Sequence, residues 1–124
     1  MSQTLAIAAG GALGALMRYW MSNSVYAWFG RDFPWGTLSV NILGSLLMGF
    51  LYVFLLERTM VGPEWRAFLM IGMLGAFTTF STFSIETLNL LHQAYYLKAM
   101  LNMVVSVVAC VGAAFIGFIL AKQL

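Results

Sequence analysis

Residues 75–84 read Gly-Ala-Phe-Thr-Thr-Phe-Ser-Thr-Phe-Ser, inside a run, 67–85, that holds no Asp, Glu, Lys or Arg. An uncharged run of about 20 residues is long enough to cross the hydrocarbon core of a bilayer as a helix. That core offers no water to backbone N–H and C=O groups, so spans are normally built from good helix formers. Here a glycine and a row of hydroxyl residues interrupt the span, which predicts a helix broken mid-membrane. Phenylalanine also recurs at every third position, at Phe77, Phe80 and Phe83. Neither a lipid-facing helix nor a core helix requires that arrangement. A path for a small polar solute does.

The rest of the chain fixes the class. Of its 124 residues 62% are hydrophobic and 8% charged, with a mean hydropathy of +0.91. A soluble domain this small could not cover so much apolar surface, so the bilayer must act as its solvent. Residues 33–56 and 99–121 are also free of charge, and 5–30 are interrupted only by Arg18. The expectation is an all-α membrane protein of one domain, residues 1–124. Its four transmembrane helices are placed at about 5–29, 35–56, 66–91 and 98–121, the third of them broken.

Several classes are set aside. The first run is not expected to be a cleaved signal peptide, because no basic leader precedes it and Arg18 lies within it. The single cysteine, Cys110, excludes an internal disulfide. A net charge of +2, thinly scattered, argues against nucleic-acid binding. No His/Cys cluster with metal-ligand spacing and no nucleophile–base pair is visible, so an enzyme is not expected. His92, at an expected helix end, reads as a solvated interfacial residue.

With four spans, Arg58, Arg66 and Lys122 share one side and Arg31 and Lys98 the other. Cytoplasmic loops normally carry a clear Lys/Arg excess, and this split is close to even. Two readings are open: weakly biased one-way insertion, or dual topology with pairing as an antiparallel homodimer. Four short helices leave no aqueous pore within one protomer, so a conduit would run between protomers. Gly10 and Gly14 form a small-xxx-small pair, and Gly44, Gly49, Gly112 and Gly117 thin the second and fourth helices. Such glycines serve intra-protomer packing and dimerisation equally.

Arg18 is a cation inside a span, which costs about 2.5–3.5 kcal/mol at a helix centre. It is either a snorkelling anchor near Tyr19 and Trp20 or part of an electropositive vestibule; in both cases it favours anions nearby. Asn41 lies deep in the second span, with Thr37 one turn earlier on the same face. A membrane amide serves either as an inter-helix hydrogen bond or as a donor aimed at an anion. Aromatic rings carry a positive edge, and Phe80 and Phe83 are helical neighbours set among Thr78, Thr79, Ser81, Thr82 and Ser84. Some of those hydroxyls would only satisfy the broken backbone.

Three segments carry a resemblance: Gly10-Gly11-Ala12-Leu13-Gly14-Ala15-Leu16-Met17-Arg18-Tyr19, Gly36-Thr37-Leu38-Ser39-Val40-Asn41-Ile42-Leu43-Gly44, and Gly72-Met73-Leu74-Gly75-Ala76-Phe77-Thr78-Thr79-Phe80-Ser81-Thr82-Phe83. Along essentially its whole length the chain resembles the Fluc (CrcB-type) fluoride channels. The resemblance implies passive, fluoride-selective efflux that relieves fluoride toxicity, in the inner (plasma) membrane of a bacterium. It implies an antiparallel dual-topology homodimer with two pores between the subunits, lined by Asn41, Phe80 and Phe83. It further implies a structural sodium ion at the dimer centre, held by the backbone carbonyls of Gly75 and Thr78, and Glu86 toward a pore mouth.

Thr37 extends the donor stripe on the residues' own chemistry. The resemblance adds a polar track on the fourth helix, which Ser106 fits. One turn later stands Cys110, a weaker donor, so either that fourth-helix contact is dispensable or the track leans on Ser81 and Thr82. One turn earlier than Ser106 stands Asn102. For each of these a helix-packing hydrogen bond is an equal reading. A carboxylate repels an anion, so Glu86 also reads as an interfacial charge where the third helix leaves the membrane. The rival function is a proton-coupled exporter of the small multidrug resistance type. That chemistry needs a membrane-embedded carboxylate in the first helix, whereas this chain has Arg18 there and no acidic residue before Asp32.

Overall fold

A computed structural model describes residues 2–124. These are helical, with no strand among them. Helix α1 (Ser2–Phe29) is followed by α2 (Trp35–Val53), which runs on as a π-helical turn, Phe54–Arg58. The third long segment is composite: α3 (Pro63–Arg66), a π-helical stretch Ala67–Leu74, α4 (Gly75–Phe77), a break, and α5 (Phe80–His92). Helix α6 (Tyr96–Gln123) closes the bundle.

Local chemistry explains the ends. Gly30 terminates α1 at φ +79°, donating its N–H to the Tyr26 carbonyl at 2.8 Å, the left-handed helix stop that glycine adopts without steric cost. Pro63 sits in the first turn of α3, where its missing N–H removes no helical bond. Three segments are long and apolar enough to cross a membrane: Trp35–Arg58, Pro63–His92 and Tyr96–Gln123. Helix α1 is not among them. It has the length, 28 residues or about 42 Å, but Arg18, Ser22, Asn23 and Ser24 dilute its apolar content.

Packing is set by glycines that admit a neighbouring backbone. A Cβ at Gly10 would strike the carbonyl oxygen of Phe68, and one at Gly14 that of Met73. The small-xxx-small pair of α1 is therefore consumed against the π-helical stretch of the same protomer. Likewise Gly49 meets Ala114, and Gly117 meets Leu46, locking α2 to α6. Gly112 faces open space. One buried core cluster joins Val40, Leu74 and Phe77, with Met17, Met21, Met48, Leu51 and Met73 packed around them.

Charges collect at the two ends of the bundle. At one, Lys122 Nζ pairs with Glu57 at 3.2 Å and Arg58 donates to the Lys122 carbonyl. At the other, Lys98 Nζ reaches the Asp32 carbonyl at 3.3 Å. Between them the outward face of α6 is apolar, with Val104, Val107, Val108, Val111 and Phe115 each more than half exposed. Such a surface is at home in lipid or against another protein.

Candidate functional site

The third segment breaks at Thr78 and Thr79, both extended, with φ/ψ of −83°/157° and −151°/124°. A break in a helix strands backbone groups, and each must find a partner. Thr79 solves part of this as the N-cap of α5. Its hydroxyl accepts the Thr82 N–H at 3.2 Å and lies 3.1 Å from the Thr82 hydroxyl. The Thr79 peptide groups are met by Asn41, whose Oδ1 accepts the Thr79 N–H at 2.8 Å while its Nδ2 donates to the Thr79 carbonyl at 3.0 Å. Asn41 is thus an inter-helix clamp, and one proton of its amide remains uncommitted by these bonds.

The break takes the helical donors from the carbonyls of residues 75–78, those of Gly75 and Thr78 among them. In an unbroken helix Gly75 would accept the Thr79 N–H and Thr78 the Thr82 N–H. Those donors are diverted to Asn41 Oδ1 and Thr79 Oγ1. Neither carbonyl accepts a backbone donor across the break among the described residues. The two oxygens implied to hold sodium are therefore among those the break sets free, and unwound carbonyls of this kind are natural Na⁺ ligands.

Beside the break lies an open-sided groove of about 390 Å³ whose lining includes Asn41, Thr79, Phe80, Phe83, Ser106 and Cys110. The Phe80 and Phe83 rings stand 5.3 Å apart at 44°, and Phe80 is 78% exposed. Phe77, third of the phenylalanine series, is instead in the core. The break separates it from the other two.

A second cavity, about 220 Å³, is lined by Arg18, Ser22, Thr37, Thr79 and Thr82 among others. Thr79 borders both cavities. Thr37 donates its hydroxyl to Glu86 Oε1, and Tyr26 Oη donates to Glu86 Oε2 at 2.5 Å. Asn41 and Thr37 share a face of α2 yet serve different partners. A third, more polar cavity of about 210 Å³ gathers Tyr26, Arg31, Asp32, Glu86, Asn89 and Gln93, with the Arg31 guanidinium 4.3 Å from the Tyr26 ring centroid.

The structure thus brings Asn41, Phe80, Phe83 and Ser106 to one groove, and Arg18, Thr37 and Thr82 to the cavity across the break. Ser81 is exposed, its hydroxyl 3.3 Å from that of Thr79. Ser106 is also tied inward. It donates to Asn102 Oδ1 at 3.3 Å, and Asn102 donates to the Thr87 hydroxyl at 2.8 Å. Two site residues were not singled out by the sequence reading. Thr79 was legible as a hydroxyl directly before a helix start, the ordinary N-cap signal. Tyr26 carried no local signal, because its partner lies 60 positions away.

Comparison with known proteins places the chain. The model of the family described as CrcB-like protein, Camphor Resistance (CrcB), matches residues 5–118. The chain belongs to the CrcB-like family. The resemblance read from the three motif segments is thereby borne out. Among its relatives are proteins named fluoride-specific ion channel FluC. The one from Methylococcus capsulatus is 55% identical over 96% of this chain, which spans only 52% of that protein's length. Those from Magnetococcus marinus and Hydrogenovibrio crunogenus are 53% and 50% identical over 94% and 98% of this chain, and 94% and 92% of their own. Like the CrcB-like channels it matches, the protein is not an enzyme.

Proposed function

We propose that this CrcB-like protein is a fluoride-selective channel that lets the ion leave the cell down its gradient. The observation that carries this reading is the groove at the helix break, where Asn41, Phe80 and Phe83 meet in a chain half-identical to fluoride channels along nearly its full length. A selective filter must replace an ion's water with donors yet bind weakly enough to release it. The free proton of the Asn41 amide supplies one donor. The ring edges of Phe80 and Phe83 offer weak positive contact without trapping the ion. The hydroxyls of Thr37, Ser81, Thr82 and Ser106 extend the track, Arg18 supplies positive charge beside the break, and Glu86 stands toward a mouth.

The working unit is an antiparallel, dual-topology homodimer in a bacterial inner membrane, with α1 as a fourth span. The groove is open along one side, Phe80 projects from it, and the outer face of α6 is apolar, all of which a second copy would cover. The Gly75 and Thr78 carbonyls of one protomer are too few for one Na⁺. A two-fold axis doubles them, so the Gly75 and Thr78 carbonyls of both copies would hold a structural sodium that joins the protomers. The exporter reading finds no support, since α1 carries Arg18 and no acidic residue.

Anion efflux from proteoliposomes, voltage-clamped with a potassium ionophore, tests the proposal. Rapid fluoride loss with chloride retained is the expected result. Retention of both anions in the absence of a proton gradient would overturn it.

A further inference from the structure

We infer that Asn41 and Thr79 are positioning residues for the cation site, each keeping one carbonyl of the broken helix free. The inference rests on the reading that the Gly75 and Thr78 carbonyls hold sodium. Two hydrogen bonds at the break bear on these two carbonyls. The N–H that would occupy the Gly75 carbonyl belongs to Thr79, and Asn41 Oδ1 holds it at 2.8 Å. The N–H that would occupy the Thr78 carbonyl belongs to Thr82, and Thr79 Oγ1 holds it at 3.2 Å.

A buried N–H does not remain unpaired when another acceptor is within reach. If Asn41 loses its acceptor, the nearest remedy for Thr79 is the carbonyl four residues back. Winding residues 78–79 into the helix re-forms that bond and removes the Gly75 oxygen from the cation. Loss of the Thr79 hydroxyl does the same through Thr82 and the Thr78 oxygen. Asn41 would then have two separable duties. Its Oδ1 guards the cation shell, while its Nδ2 braces the Thr79 carbonyl and serves the groove. The anion path and the cation site would be coupled through one amide.

The test reads sodium, not fluoride. Thermal unfolding of the purified protein is followed as Na⁺ replaces N-methyl-D-glucamine at constant ionic strength, giving a half-saturating Na⁺ concentration. Asn41→Leu and Thr79→Val are expected to raise it about tenfold or more. Thr79→Ser keeps the hydroxyl and is expected to stay within about twofold of the native value. Asn41→Asp keeps the acceptor for Thr79 and is expected not to weaken the sodium response, although its charge blocks fluoride. Should Asn41→Leu fail to fold, the Thr79→Val and Thr79→Ser pair decides alone. A native protein indifferent to Na⁺ overturns the sodium reading itself, and this inference with it. A native protein that responds, with Asn41→Leu and Thr79→Val responding at the same Na⁺ concentration, overturns this inference only.

Discussion

At the scale of single residues the site divides into groups that line the groove and groups that hold other groups. Phe80 and Phe83 belong to the first kind, Phe80 largely exposed and Phe83 half-buried with its ring against that of Phe80. Phe83→Ile is therefore expected to lower fluoride flux about tenfold or more, near 1.4 kcal/mol on the barrier, while the protein still assembles; efflux and size-exclusion measurements on one preparation check both. Tyr26 and Thr37 belong to the second kind, because both donate to Glu86. Removing a donor to such a carboxylate by Tyr26→Phe is expected to cost about 1.5–3 kcal/mol of stability, read from denaturant unfolding in detergent. The divide also sets what was legible. Asn41, Phe80 and Phe83 declared themselves because an amide and an aromatic series stand out against an apolar background. The partner of Asn41 did not, because a backbone group carries no letter in the sequence.

At the scale of elements the broken third segment was readable from Gly75 and the hydroxyl run that follows it. The π-helical stretch Ala67–Leu74 was not, since its composition is that of any apolar helix. Its wider turn matters, because it brings the Phe68 and Met73 backbone against α1. The glycines of α1 could be read either way from sequence, and the structure assigns them to this contact. Gly14→Ala pushes a methyl group into the Met73 carbonyl and is expected to destabilise the protomer by about 1–3 kcal/mol. Gly112→Ala meets nothing in the protomer and, within a helix, is expected to leave its stability unchanged or raise it by up to about 1 kcal/mol. Thermal melts of the two variants side by side check the contrast. Helix α1 itself shows the limit of composition: its polar residues lower its hydropathy below that of the other three segments, although it runs the same distance.

At the scale of the whole molecule the near-even division of basic residues between the two ends persists in the folded bundle. Arg58, Arg66 and Lys122 lie toward the end tied by the Glu57–Lys122 pair, and Arg31 and Lys98 toward the other. A C-terminal reporter active on only one side of the membrane is accordingly expected to report both orientations; a strongly one-sided signal would exclude dual topology. A partner copy is suggested in the sequence only by the absence of room for a pore inside four short helices, because no residue of one chain names a neighbour in another. The pairing of α2 with α6 has a consequence in time. Gly49 waits for Ala114, and Leu46 for Gly117, to be synthesised, roughly 70 residues later, which at 5–20 residues per second is several seconds. Throughout that interval the most intimate seam of the bundle does not exist, and α2 sits in the bilayer with one flank unmatched. Helix α6 is thus the one that commits these helices to their shape, so a ribosome that stalls before residue 114 should leave behind a protein that is inserted but not folded.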